Sequence, residues 1–388
     1  MPHDRDVEQL LPHLILWLLP GHNQRRIAQI RQQLEPSAAA DPHALLQALS
    51  SFPRVQPQLA ALCRQALHDP WRLPFADQIH RHLLWAEHPK HWLLTPEQQP
   101  ECLAEIADPP LLLCVSGQHQ ALDSPALAVV GSRNVTPEGR HNASHWSAHL
   151  AHQGLNIISG LARGVDAYAH QGVLDARERG ASGATFAVLA QGLDQIYPPE
   201  HKSLAERVCE QGALLSEYPL GASPLPRNFP ARNRIVTGLS LGVLVVEAAL
   251  RSGSLVSARH ALEQGREVMA IPGSVRRKQS EGCHQLIRQG AALVTHPDEV
   301  LAELRLPLQQ IIQATDGLSP FVAGSGVSES GVSKHLQPLY QLISDVPQTA
   351  DQLLLQLDCE TAEGLALLQE LELDGLIEQC PGGWCRSA

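Results

Sequence analysis

The sequence predicts an α/β protein: a doubly wound, mostly parallel sheet with a helical N-terminal domain before it and a small C-terminal domain of winged-helix order after it. Three observations carry that prediction. Short runs of Val, Leu, Ile and Ala alternate with amphipathic stretches of roughly ten to fifteen residues. The runs are continuously apolar, as strands must be when helices cover both faces of a sheet. Two of them end in glycine-rich turns that lead into helical stretches.

Residues 1–100 read as helical, being rich in Leu, His, Gln and Arg, with helical spacing in "RRIAQIRQQL" and "DPHALLQALS" and repeated proline punctuation. The α/β pattern starts near Leu111 and occupies residues 101–312. Its expected strands are "ALAVVGS" at 126, "LNIISG" at 155, "TFAVLAQG" at 185, "GALLSEYP" at 212, "GVLVVEAA" at 242, "EVMAIPG" at 267 and "AALVTHP" at 291. Residues 313–334 have the Gly/Ser-rich composition of a flexible linker, as in "DGLSPFVAGSGVSESGVSK". Residues 335–388 read helix, helix, helix, then the hairpin-like "LIEQCPGGWCR", the order of a winged helix. From His335 onward there are nine acidic residues and one basic one, Arg386. A major-groove reader carries a Lys/Arg face, so a protein-contacting winged helix is favoured over a DNA-contacting one.

Composition narrows the function classes. The 388 residues carry a formal charge of -11, from 29 Lys+Arg against 40 Asp+Glu. That balance argues against a histone-like binder, so any anion site has to be local. The apolar run Leu10–Leu19 contains Pro12 and His13 and falls short of the about 20 residues that span a bilayer. The opening "MPHDRDVEQ" has no basic signal-peptide region, and the expectation is a cytoplasmic protein with no membrane partner. Eight cysteines without a CxxC pair are expected as reduced, mostly buried thiols. Neither GxGxxG nor GxxxxGK[ST] occurs, and no metal or cofactor is expected.

The chemistry concentrates in three segments. In "VVGSRNVTPEGR", Gly131 ends a strand, Ser132 and Arg133 follow, and Pro137 has the place of a first-turn helix residue. In "ISGLARGVDAYAH", Gly160 and Gly164 flank Arg163 ahead of a helix beginning near Asp166. Glycine permits close backbone approach, a helix N-terminus attracts phosphate, and each arginine adds bidentate capture. Either turn alone reads equally as a tight turn and nothing more; the pair, each with an arginine, favours one phosphate groove at the carboxyl ends of the strands. Asp166 is read as capping its helix and pairing with Arg163 in preference to holding a ribose hydroxyl.

The third segment, "NFPARNRIVTGLSLG", follows the fourth expected strand. Phe229 there offers a ring for base stacking, with Arg232 and Arg234 nearby, the combination that holds single-stranded nucleic acid. The alternative makes Phe229 and Pro230 a hydrophobic staple and the arginines a solvated face; Asn233 is read as structural.

Other motifs carry less. "GLSLG" matches GxSxG, but a helix precedes it and a strand follows, the wrong order for a nucleophile elbow. His141, His145 and His149 share a helix face, read as solvated or partly packed and not as a metal site. Cys380 and Cys385, the closest cysteine pair, are not read as a metal site either. Glu247, Arg251 and the Gly253–Ser254 helix start would suit a nucleotide pocket with an acid or base, but a turn contributing to the phosphate groove is preferred. The basic loop Arg276, Arg277, Lys278 either extends that groove or is an ordinary solvated loop.

Seven segments in order, "DPPLLLCVSG", "AVVGSRNVTPEG", "ISGLARGVDAYAH", "GLDQIYPPEH", "NFPARNRIVTGLS", "LVVEAALRSGSLVSARHALEQGREVMAIPG" and "SEGCHQLIRQGAALV", resemble the DNA-processing protein A (DprA/Smf) family. The resemblance implies an extended Rossmann-like domain that binds single-stranded DNA, forms a homodimer and helps load a RecA-type recombinase on incoming DNA in natural transformation, without catalytic turnover. It places Gly131, Ser132, Arg133, Gly160, Arg163, Gly164 and Phe229 on DNA, with Arg227 as the nearest upstream cation and Arg232 and Arg234 as phosphate or structural arginines. Many members carry a "PGxG" hairpin near the N-terminus, in a SAM-like or helix-hairpin-helix unit, where this chain reads "LLPGHNQRRI". The rival reading is a nucleotide-processing enzyme resembling the Rossmann-like phosphoribohydrolases, whose "PGGxGTxxE" loop is replaced here by "EAALRSGSLVSA".

Overall fold

The structure is a computed structural model and describes residues 4–20, 27, 30, 34, 41–52, 55–304, 368, 371, 377–380 and 383–386. These fall in two units, one within Met1–Ser319 and one within Pro320–Ala388. The expected linker 313–334, most of 335–388, the "GHNQRR" of the N-terminal hairpin motif and most of "RRIAQIRQQL" lie outside the described residues.

The first unit is organised by a nine-stranded sheet. Its strands are β1 (His91–Leu94), β2 (Leu113–Gly117), β3 (Ala126–Val130), β4 (Asn156–Ser159), β5 (Thr185–Val188), β6 (Ala213–Ser216), β7 (Gly242–Val245), β8 (Glu267–Ala270) and β9 (Ala292–Leu293), in the order β1-β2-β6-β5-β4-β3-β7-β8-β9. All seven expected strands are present, and β3 to β9 pair in parallel. The two strands missing from the expectation, β1 and β2, form the antiparallel edge. Their antiparallel pairing needs no crossover helix, so the β-α alternation that reveals the others is absent.

From β3 the chain winds outward through β4, β5 and β6, then returns past β3 to β7 and winds the other way. The direction therefore reverses between β3 and β7. Crevices of doubly wound sheets open at such a point, at the carboxyl ends of the strands.

Among the described residues, helices α1 (Asp4–Leu18), α2 (Pro42–Ser51), α3 (Pro57–His68) and α4 (Ala76–Ala86) precede the sheet. The Asp41 side chain accepts the His43 N–H to cap α2, which is the expected "DPHALLQALS" helix. Leu14, Leu49, Cys63 and Ile79 of this layer share one core with Leu112 and Cys114 at β2, so the antiparallel edge and the helices bury each other. Trp17 donates Nε1–H to the Glu217 carbonyl at 2.8 Å, and His82 accepts the Leu220 N–H at 2.9 Å, tying the layer to the loop after β6.

The sheet is then wrapped by α5 (Glu101–Ala104), α6 (Pro137–His152), α7 (Val165–Arg177), α8 (Lys202–Gln211), α9 (Asn228–Gly238), α10 (Ser254–Glu263), α11 (Glu281–Arg288) and α12 (Pro297–Glu303). Strand alternation divides the sheet's two faces. Phe186 and Val188 of β5 pack with Val236 of α9 and Ala258 of α10, while Ala187 and Leu189 pack with Leu174 of α7 and Val208 of α8. In the second unit, β10 (Ile377–Cys380) and β11 (Gly383–Arg386) form an antiparallel hairpin where "LIEQCPGGWCR" was expected to make one.

One buried titratable group gives the fold a pH dependence. His170 on α7 is fully buried and lies 2.7 Å, through Nδ1, from the Thr185 hydroxyl, which itself donates to the Ile157 carbonyl. Burial, with His201 and Arg232 adding to it, pushes its pKa down to about 3. The unfolded histidine takes up a proton near pH 6.5 and the folded one does not. Its neutral form is thus fully compatible with folding above about pH 6.5, and stability falls as pH drops from there toward 3. Urea denaturation at pH 7, 6 and 5 should give a slope for the wild type steeper than for His170→Gln by up to about 1.4 kcal/mol per pH unit.

Candidate nucleic-acid interface

The two glycine-rich turns brace each other. The turn after β3 runs through Gly131, Ser132 and Arg133, and the Ser132 carbonyl accepts the Val165 N–H of α7 at 3.2 Å. That approach requires glycine at 164: its φ is +80°, and a Cβ there would sit 2.1 Å from the same Ser132 carbonyl oxygen. Pro137 stands at the first turn of α6, as expected, with Thr136 as N-cap accepting the Gly139 N–H at 3.1 Å.

Glu247, at the end of β7, holds that helix start. Its carboxylate accepts the Thr136 N–H at 3.0 Å and the Thr136 hydroxyl. Both oxygens therefore serve the N-terminus of α6, and the residue is buried.

Under the second turn lies a buried charged pair. Arg232 of α9 is 3% exposed and donates Nη1–H to the Gly160 carbonyl at 2.9 Å and to the Val188 carbonyl. Asp166 accepts the Gly160 and Ala162 N–H groups at 3.1 and 3.3 Å. Burial pushes the Asp166 pKa up and the Arg232 pKa down, and the attraction between the two opposes both shifts. Gly160 is the second position where glycine is required, since a Cβ would meet Arg232 Nη2 at 2.3 Å.

Above this floor opens a cleft of about 670 Å³. Its lining includes Arg133, Phe229 and Tyr197, and also Arg251 with Ser252, Gly253 and Ser254 at the start of α10. The Arg133 guanidinium lies 5.2 Å from the Phe229 ring centre, and the Tyr197 ring is 5.8 Å from Phe229 at 59°. Arg133 and Arg251 are exposed, and among the described residues neither makes an ion pair. The first turn of α10 has no acidic residue, and the Ser252 and Ser254 hydroxyls sit 2.6 Å apart beside it. Asp166 is the one carboxylate among the described lining residues, and it is already hydrogen-bonded. An acidic chain thus presents a local cationic groove with a helix N-terminus and two rings, features that bind phosphate and stack bases.

The expected residues divide by placement. Gly131, Ser132, Arg133, Phe229 and Arg232 line the cleft, while Gly160 and Arg163 line a smaller adjoining pocket of about 40 Å³ that shares Arg133, Tyr197 and Phe229 with it. Gly164 lies behind, as the brace. Arg163 pairs with Glu200 and not, as expected, with Asp166. Arg232 turns Nη1–H to main-chain carbonyls and Nε–H to the Asn233 side chain at 3.2 Å, as a structural arginine does. Arg227 is exposed at the start of α9 but outside the cleft lining.

Of the two roles expected for Arg234, phosphate or structural arginine, its placement matches the structural one. It is buried on the other side of α9, forms a bidentate pair with Glu217 at 2.6 Å through each nitrogen, and donates Nε–H to the Asp108 carbonyl at 2.9 Å. On a helix of 3.6 residues per turn it stands about 200° round from Arg232. Tyr197 was absent from the expected set. Its "GLDQIYPPEH" segment reads as a loop, and only folding sets its ring beside Phe229.

Known proteins share this architecture. A sequence profile described as DNA recombination-mediator protein A matches residues 90–305, and one described as the DprA winged helix domain matches residues 326–383. Protein Smf of Escherichia coli is 43% identical over 313 residues, 79% of this chain and 80% of that protein. DNA processing protein DprA of Streptococcus pneumoniae is 45% identical over 201 residues, 52% of this chain and 69% of that protein. The X-ray structure of the S. pneumoniae protein aligns with a TM-score of 0.61 at 34% identity, covering 75% of this chain and 97% of that one. A Helicobacter pylori DNA processing protein A, whose structure is described as giving its single-stranded DNA binding mode, aligns with a TM-score of 0.51 at 29% identity, covering 57% and 98%.

The placement separates two arginines by experiment. Arg234→Ala leaves the buried Glu217 carboxylate without its guanidinium and should cost about 3–5 kcal/mol in urea denaturation. Arg133→Ala should cost no more than about 1 kcal/mol in the same assay.

Proposed function

Because the chain belongs to the DNA recombination-mediator protein A family, we propose that it binds single-stranded DNA in the cleft at the β3/β7 switch point. The observation that carries this reading is the exposed Arg133 guanidinium over the half-buried Phe229 ring, with no carboxylate partner among the described residues, in the cleft that the start of α10 also lines. Phosphates go to Arg133, Arg251, the Ser132 turn and the α10 N-terminus; a base stacks on Phe229, with Tyr197 beside it. Arg163, Gly160 and Gly131 complete the contact surface. A cleft lined by two neighbouring rings and exposed cations suits unstacked bases better than a closed duplex.

The same reading makes the protein a cytoplasmic carrier that protects incoming DNA and helps load a RecA-type recombinase during natural transformation and recombination. It acts as a homodimer, and its acidic winged helix contacts protein. The exposed apolar groove at Leu250, Ile287 and Leu293 supports self-association through the β9 edge of the sheet. Binding proceeds without turnover: Glu247, the residue a nucleotide-processing enzyme would use as acid or base, has both oxygens engaged at the start of α6.

Fluorescence anisotropy of a labelled oligonucleotide over a salt series tests the reading. The wild type should prefer the single strand to the duplex. Phe229→Ala should weaken binding by about 1–3 kcal/mol, and Arg133→Ala should lower the salt slope by about 0.7. Free base released from nucleoside monophosphates, and lost in Glu247→Gln, would instead establish the enzyme. Light scattering should give a mass of two chains.

A further inference from the structure

The cationic surface does not stop at the cleft. The loop after β8 leaves the same carboxyl edge of the sheet as the cleft, and its Arg276, Arg277 and Lys278 are exposed. Arg277 donates to Glu138 in the first turn of α6 at 2.7 Å, which fixes the loop against that helix. Glu138 thereby has its charge offset. Arg276 and Lys278 make no ion pair among the described residues.

Two residues beyond Glu138, Arg140 is exposed and holds its guanidinium 5.8 Å from the ring centre of Tyr168 in the first turn of α7. Tyr168 donates its backbone N–H to the carbonyl of Gly164, the residue that braces the cleft turn. The first turn of α6 thus carries an arginine over an aromatic ring on one side and an anchored basic loop on the other. The Arg140–Tyr168 pair repeats the chemistry of Arg133 over Phe229, one helix start farther along.

We propose that a single strand leaving the cleft continues across the first turn of α6, with a base on Tyr168 and phosphates on Arg140, Arg276 and Lys278. This inference rests on the reading of the cleft as a single-stranded DNA site. Charge and stacking identify the occupant: unpaired exposed cations complement a polyphosphate, and a ring with a guanidinium above it accepts any unstacked base. The track makes affinity depend on strand length beyond what the cleft holds.

Anisotropy with the full chain and an oligothymidylate series of roughly 4 to 16 nucleotides tests it. For the longest oligonucleotide, the triple variant Arg140→Ala, Arg276→Ala, Lys278→Ala should lower the salt slope by about 2, at about 0.7 for each of three contacts. Tyr168→Ala should weaken it about 5- to 150-fold and Tyr168→Phe should restore it. The shortest oligonucleotide should respond to Arg133→Ala and to none of these changes. Equal losses at both lengths, or no loss at the longest while Arg133→Ala still weakens binding, would overturn the track and leave the cleft reading intact. Tighter binding of a duplex at the longest length would also overturn it. No binding of wild type to any length would remove the cleft reading and the track together.

Discussion

The Arg232 guanidinium, held inside the protein by the carbonyls of Gly160 and Val188 and facing the Asp166 carboxylate, is the constraint on which the binding face depends. A buried charge persists only with its partner and its hydrogen bonds in place. Arg232 supplies donors to carbonyls at two strand ends, and Asp166 supplies acceptors to the N–H groups of the same turn. The second glycine turn is thereby fixed, and through Gly164 and the Ser132 carbonyl so is the first. Arg133, at the outer end of that chain, remains free for a ligand.

Helix α9 links this foundation to the surface. Phe229 and Arg232 are three residues apart, share a helix face and both line the cleft, the ring half-buried and the guanidinium buried. Arg234 falls on the opposite face and anchors α9 to Glu217 and Asp108. One short segment therefore serves three tasks: a contact surface, a support beneath it, and a lock to the rest of the fold. Similar residue types at neighbouring positions do different work because burial differs.

The N-terminal helices take part in the same body. Their core is continuous with the antiparallel edge of the sheet, and Trp17, His82 and Glu217 connect them to the loop that leads into α9. Glu217 accepts from Trp17 through its main chain and from Arg234 through its side chain, so α1 and α9 meet at one residue. The helical layer bears indirectly on the position of Phe229.

Much of this was legible in the linear sequence. Strands β3 to β9 are visible because parallel pairing forces helices between them and burial on both faces removes polar residues. The glycine turns were legible too, since few residues reach a φ of +80° or tolerate a backbone 2.1 Å from a Cβ position. The site's sign was readable from arginines clustered in an acidic chain. Tertiary structure decided what each arginine does: Arg133 faces solvent over a ring, Arg163 meets Glu200, Arg232 lies beneath the turn, and Arg234 is paired in the interior. It also decided that Glu247 caps a helix and that Tyr197 joins Phe229. Sequence determines which groups a segment carries, because spacing and apolarity are local. Which of them meet carbonyl, carboxylate or solvent depends on elements that lie 17 to 126 residues away along the chain.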